Sequence, residues 1–129
     1  MGYHYSKKSN KSFADTLVHI KESLKKEGFG VLTEIDIKET FKNKLGIDFR
    51  NYQIMGACNP TFAHKALTIE PTLGVMLPCN IAVQEYENGD IVVSAINPME
   101  SMALSVQNDD LEKVATEVSS RLNRAVDAC

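Results

Sequence analysis

"CNIAVQEYENGDIVVSAIN", residues 79–97, decides the fold. Two runs of strand-forming residues flank Asn88-Gly89, and that dipeptide between such runs is the strongest short-range signal for a β-hairpin. A two-residue turn pairs Glu87 with Asp90, a register that puts Cys79, Ile81, Val83, Val92 and Ile96 on one face. Ala82, Tyr86, Ile91, Val93 and Ala95 fall on the other, with Asn80, Gln84 and Asn97. Each face is then half apolar, whereas a sheet with helices on one side and water on the other sorts its residues more cleanly. A second cover is therefore expected, and a second copy of the chain is its simplest source, which makes the protein a homodimer.

Upstream lies "MGACNPTFAHKAL", residues 55–67. The spacing predicts a strand over 51–58. Asn59 then serves as a helix cap with Pro60 at the first helical position. The helix carries Phe62, Ala63, Ala66 and Leu67 on one side and ends before Pro71, and "EPTLGVMLP" (70–78) is rich in turn residues. Further back, Ser12 caps a helix over 13–27 whose stripe is Phe13, Leu17, Ile20 and Leu24, closed by Gly28. Lys21, Lys25 and Lys26 belong to its solvated side. "GFGV" at 28–31 closes a helix and opens a strand, the reverse of a phosphate-cradling loop. Phe29, Val31, Thr33, Ile35 and Ile37 then alternate as one face of a strand, followed by a short helix, "KETFKNKL" (38–45), stopped by Gly46. At the start of the chain Tyr3 and Tyr5 alternate with His4 and Ser6, the mark of another strand. At the end, Asp109 and Asp110 open a helix with the stripe Leu111, Val114, Ala115, Val118, Leu122 and Ala125. This order predicts one α+β domain over 1–129, a largely antiparallel sheet with helices packed on one face.

The 129 residues, 43% of them hydrophobic, suffice for one ordinary core. Net charge is −3, so nothing global attracts a phosphate backbone and no nucleic-acid partner is expected. No apolar run approaches the length of a membrane helix, so no membrane association is expected. "MGYHYSKKSNKSF" lacks the apolar core of a secretion signal, which leads to the expectation of a cytoplasmic protein. Gly2 with Ser6 matches a loose myristoylation pattern, and Asn10-Lys11-Ser12 is a sequon that matters only outside the cell. Three cysteines in a reducing compartment do not form a disulfide framework. Cys129, the last residue, is expected at the surface.

Cys58 and Cys79 are each followed by asparagine. One ends a strand and the other begins one, so both can border a common cleft beneath the helix that starts at Pro60. Free N–H groups near Thr61 and Phe62 favour an anion there. The candidate cleft comprises Cys58, Asn59, Pro60, Thr61, His64, Glu70, Cys79 and Asn80. No CxxC or HxxxH spacing supports a metal on Cys58, Cys79 and His64, and none is expected. A helix N-terminus can activate a thiol, while an uncharged cysteine can equally pack as a small hydrophobe. Asn59 and Asn80 suit backbone capping. Glu70 would be a general acid or base if buried among Leu67, Ile69 and Leu73, and is a surface residue otherwise. His4 and His19 have no evident partners, and no cofactor is indicated.

Tyr52, Ile54, Gly56, Cys58-Asn59-Pro60, Ala63, Leu67, Pro71, Gly74 and Leu77-Pro78-Cys79-Asn80 together resemble the central signature of the bacterial and archaeal domain of unknown function 302 family. The resemblance implies a small α+β domain similar in architecture to the TATA-box-binding-protein-like group, and a dimer. It brings no activity, and fold likeness does not carry DNA binding with it. Asn97-Pro98 departs from the Asp-Pro expected at that point of the family pattern. Three functions follow as expectations. The first is a homodimer that binds a small ligand, an anion being one candidate, near the two Cys-Asn pairs, and the second a thiol or metal enzyme using Cys58 or Cys79. The third is a structural or protein-interaction module working through the second sheet face.

Overall fold

A computed structural model describes residues 2–103 and 106–129. The chain runs β1 (His4–Ser9), α1 (Phe13–Lys26), β2 (Gly30–Asp36), α2 (Ile37–Leu45), β3 (Tyr52–Cys58), α3 (Pro60–Ile69), β4 (Cys79–Glu85), β5 (Ile91–Ile96) and α4 (Asp109–Asp127). A 3₁₀ turn over Pro71–Met76 precedes β4, and a π-helical turn over Met99–Ala103 follows β5. The fold is α+β, and the five strands form one sheet in the order β1-β5-β4-β3-β2, every pair antiparallel.

The helix boundaries follow from their caps. The Ser12 hydroxyl accepts from the Asp15 N–H at 3.1 Å to open α1, and Gly28, with φ +87°, turns the chain out of it. Asp36 caps α2 by accepting from the Glu39 N–H at 3.0 Å, so Ile37 is the first residue of a helix and not the last apolar position of β2. Asn108 does the same for α4 through the Leu111 N–H at 3.0 Å.

Two registers differ from the sequence expectation. In the hairpin the Tyr86 N–H donates to the Asp90 carbonyl at 2.8 Å, and Glu87, Asn88 and Gly89 form a three-residue loop. Gly89 has φ +92° but Asn88 has a negative φ, so the two positive φ values of the two-residue turn are absent and the loop is a turn closed by a left-handed glycine. The pairing slips by one residue: Ile81 faces Ala95, Val83 faces Val93 and Gln84 faces Val92. Glu87 does not pair with Asp90, and Val92 and Ile96 do not share a face with Cys79, Ile81 and Val83; Ile91, Val93 and Ala95 do. In β2 a bulge between Val31 and Thr33 sets Leu32 out of the ladder, 68% exposed. Val31 therefore lies opposite Ala57 on one face, while Thr33 and Ile35 lie opposite Gly56 and Ile54 on the other.

With these registers the faces sort. Met55, Ala57, Ile81, Val83, Val93 and Ala95 are buried against Ile20 and Leu24 of α1 and Val118, Leu122 and Val126 of α4. Each fully buried aliphatic side chain of this layer contributes on the order of 1.5–3 kcal/mol. Ala66, Leu73 and Leu111 form a smaller cluster beneath α3. Cys129 is buried, its thiol donating to the Thr16 carbonyl at 3.7 Å: the stripe of α4 continues to the final residue, which corrects the expectation of a surface thiol. Lys21 is not simply solvated but meets Glu34 at 2.8 Å, a half-exposed pair of small energetic weight. The opposite face of the sheet, formed by the alternate residues, carries no helix from α1, α3 or α4 over its centre.

Candidate functional site

The two Cys-Asn segments are positioned by the β3–β4 ladder, in which Ala57 lies opposite Cys79 and Gly56 opposite Asn80. Asn59 is buried and caps α3, its side-chain oxygen accepting from the Phe62 N–H at 3.3 Å while its backbone carbonyl accepts from Ala63 at 2.9 Å. The Phe62 N–H is thus already satisfied by the chain itself. A Cβ on Gly28 would stand 2.8 Å from the Asn59 amide nitrogen, so the loop after α1 closes against this cap. Pro78, which follows a cis peptide bond, packs over Gly56, and a Cβ there would lie 2.5 Å from its ring and closer still to the Thr33 hydroxyl.

Beneath α3 these elements leave a crevice of about 40 Å³ walled by Phe29, Ala57, Phe62, Leu77, Cys79 and Val118, with Cys58 and Asn59 at its edge. It is apolar and has room for a few waters at most. Burial pushes the Cys79 thiol up to about 11, with the neighbouring Cys58 adding to the shift, so Cys79 is a neutral thiol at physiological pH.

The structure brings Cys58, Asn59 and Cys79 together and places the other sequence candidates elsewhere. Pro60 and Thr61 are exposed at the start of α3. His64 borders a separate surface hollow with Lys65, Asp110 and Lys113. Glu70 ends α3 and accepts from the Thr72 hydroxyl at 2.9 Å. Asn80 is exposed on the opposite face of the sheet, where side chains alternate. Among the described residues no three His, Cys, Asp or Glu side chains converge as a metal site.

On that opposite face a hollow of about 590 Å³ spans β1, β5, β4 and β3. Its floor is Ile54, Ala82 and Val92, Asn80 lies within it, and Tyr52 and Tyr86 line it. On β1 and β5 a polar chain crosses the sheet: His4 Nδ1 lies 2.8 Å from the Ser6 hydroxyl, which lies 2.7 Å from the Ser94 hydroxyl. His4, without an evident partner in the sequence, is therefore partnered. Beside the opposite corner, Arg50 donates from Nε to Gln84 Oε1 at 3.0 Å, and its guanidinium carbon stands 4.5, 5.8 and 5.3 Å from the ring centres of Phe49, Tyr52 and Tyr86. An aromatic string from Phe41 of α2 through Phe49 to Tyr52 braces this corner, with centroids 5.0 and 6.1 Å apart. An apolar floor with convergent polar groups, in a volume within the usual 300–1,000 Å³ or so, is what a small-molecule site requires.

Sequence reasoning missed His4, Ser6, Arg50, Gln84, Tyr86 and Ser94 as a group. No local spacing links them. The available signal was the polar alternation at residues 4, 6 and 94 and an arginine set among aromatics at 49–52, and neither points to a common place until the hairpin register is right.

The described helices include none long and apolar enough to cross a membrane. No match was found among curated proteins. The crystal structure of an uncharacterised conserved DUF302 protein from Bacillus stearothermophilus is similar, with 30% sequence identity, 98% of each chain covered and a TM-score of 0.89. The family model described as "Domain of unknown function DUF302" matches residues 5–129. A match over nearly the whole chain, on the same architecture, carries the conclusion that this protein belongs to the DUF302 family.

Proposed function

We propose that the protein is a homodimeric binding module for a small, anionic ligand, held on the open face of the sheet beside Asn80 of the Leu77-Pro78-Cys79-Asn80 segment. The observation that carries this reading is the contrast in room: about 590 Å³ over the open face against about 40 Å³ beneath α3. The hollow has a sheet for a floor and no roof, whereas binding sites enclose most of a ligand's surface. A second copy laid face to face supplies the roof, and Tyr3, Ile35 and Tyr86, 73%, 47% and 42% exposed, are apolar surface for it to cover. A neutral, buried Cys79 is a poor nucleophile and weighs against chemistry at that residue.

Native mass spectrometry of untagged protein purified without chelator tests this, with Ala82→Trp, which fills the floor of the hollow, as the comparison. The expected result is a dimer carrying extra small-molecule mass that the variant loses. A wild-type monomer at micromolar concentration overturns the dimer, a bare dimer overturns ligand binding, and the same mass on the variant moves the ligand off the open face.

A further inference from the structure

We infer that the open-face hollow recognises a planar carboxylate, and that Arg50 is the residue that reads the carboxylate while Tyr52 and Tyr86 pack against the planar body. This rests on the small-ligand reading above. The chain has three arginines. Arg121 pairs with Glu117 and Arg124 with Glu27, both at 2.9 Å. Arg50 differs: among the described residues no carboxylate lies within ion-pair reach of it, and its one hydrogen bond runs from Nε to the neutral Gln84. It is nonetheless half-buried and held in place, with its guanidinium against three aromatic rings. A restrained guanidinium with unused N–H groups is the geometry that accepts a carboxylate through two parallel hydrogen bonds, and its rotamer entropy is already spent.

The rest of the hollow limits what the carboxylate is attached to. Tyr52 and Tyr86 both contact Arg50 and line the hollow, so a group bound to the guanidinium meets aromatic surfaces that favour a flat, conjugated body. Beyond Gln84 the floor is apolar through Val92 and Ala82 until the Ser6–Ser94 hydroxyls, one ladder step of about 7 Å further along the strands. A ring of benzene size bridges that step, with a hydroxyl at its far end in reach of Ser94. Phosphate fits less well, because the site offers one cation and a largely apolar floor.

The test titrates 4-hydroxybenzoate and its neutral analogue 4-hydroxybenzamide into the full chain, followed by NMR shifts of the Tyr52, Tyr86 and His4 ring signals. The acid is expected to shift all three sets and to bind at least tenfold more tightly than the amide. Arg50→Gln is expected to erase that preference, and Arg50→Lys, which keeps the charge and loses the planar fork, to lose most of it. Amide binding as tight as the acid overturns the carboxylate assignment and leaves small-ligand binding standing. If neither compound moves the three ring signals, the planar-carboxylate assignment falls, and the mass carried by the native protein decides the small-ligand reading separately. The acid–amide comparison is made on the wild-type protein, so it decides the matter even if an Arg50 variant folds poorly.

Discussion

The two faces of the sheet are written in the same strands, one residue out of step, and they differ in almost every physical respect. Toward the helices, Ile81, Val83, Val93 and Met55 are essentially fully buried, and the crevice beneath α3 holds about 40 Å³. On the open face, Ala82, Gln84, Val92 and Ile54 are half-buried around a hollow of about 590 Å³. The conspicuous family residues divide between the faces: Asn59 caps α3 and Cys79 packs toward the helices, while Tyr52, Ile54 and Asn80 line the open hollow and Gly56, opposite Asn80 in the ladder, makes way for Pro78. The rest of the second face is built from unremarkable residues, His4, Ser6, Gln84, Val92 and Ser94, whose importance comes from being neighbours. Conspicuous spacing in this chain marks backbone geometry around α3, and the roomier hollow draws only part of its lining from it.

The largest expected effect separates neighbours of identical chemistry. Val93 is 1% exposed against the helices and Val92 is half-buried on the open face. Val93→Asp places an unpaired charge in the core and is expected to cost about 3–5 kcal/mol or to prevent folding. Val92→Asp should cost no more than about 1 kcal/mol, since its side chain reaches water. Urea unfolding of the two variants breaks the comparison if their order is reversed, because that is the order the two-residue turn would require.

That register shows how far the sequence was legible. Caps at Ser12 and Asn59, the acidic first turn of α4, the stripe of α1 and the existence of the hairpin all follow from local chemistry. The pairing within the hairpin does not, because "IVVSAI" is apolar at Ile91, Val93 and Ala95 and again at Val92 and Ile96, so periodicity cannot choose between faces. The choice rests on the loop, where Gly89 alone takes a positive φ. The bulge at Leu32 is equally silent, since Val31, Thr33 and Ile35 alternate as cleanly with it as without. The hollow inherits the first of these uncertainties: it assembles residues from β1, β3, β4 and β5, and a slipped hairpin register scatters them.

The buried thiol offers a second way to sharpen the contrast. Cys79 has its folded pKa raised from 9.0 to about 11 by burial and then by Cys58. The folded protein therefore holds that proton more tightly than the unfolded chain, and the resulting stability is present below pH 9 and lost as pH rises toward 11. At about 1.4 kcal/mol per pH unit the loss is on the order of 2–3 kcal/mol. Cys79→Ala should flatten the alkaline limb of a stability–pH curve measured against wild type. An unchanged slope would mean that the thiol is not held in the apolar layer.

Gly56 is the point where the two faces constrain each other. Any Cβ there meets Pro78 and Thr33, so Gly56→Ala is expected to cost about 2 kcal/mol through displacement of the Pro78 segment. Gly30, around which a Cβ would find open space, should tolerate alanine within about 0.5 kcal/mol in the same denaturation experiment. Equal costs would place the crowding elsewhere than at the Gly56–Pro78 contact.

The smallest difference in stability is also the one that divides the two Cys-Asn pairs. Asn59→Ala removes the oxygen that accepts from the Phe62 N–H, and loss of such a cap typically costs about 1 kcal/mol. Asn80→Ala removes an exposed amide from the open face and should change stability by less than about 0.5 kcal/mol. The order reverses for binding: Asn80 lines the hollow, so its loss is expected to weaken 4-hydroxybenzoate, while Asn59→Ala leaves that affinity unchanged provided the variant remains folded. The two asparagines both follow cysteines and sit at the same end of the β3–β4 ladder, Asn59 just past the end of β3 and Asn80 near the start of β4, and the sequence suggests a capping role for both. What distinguishes them is the helix: at Asn59 the chain leaves the ladder and the amide turns back to close α3, whereas Asn80 stays in the ladder and presents its side chain to the open face. If Asn59→Ala weakened the probe and Asn80→Ala did not, the ligand would belong beneath α3 after all, and the division of labour between the faces would be inverted.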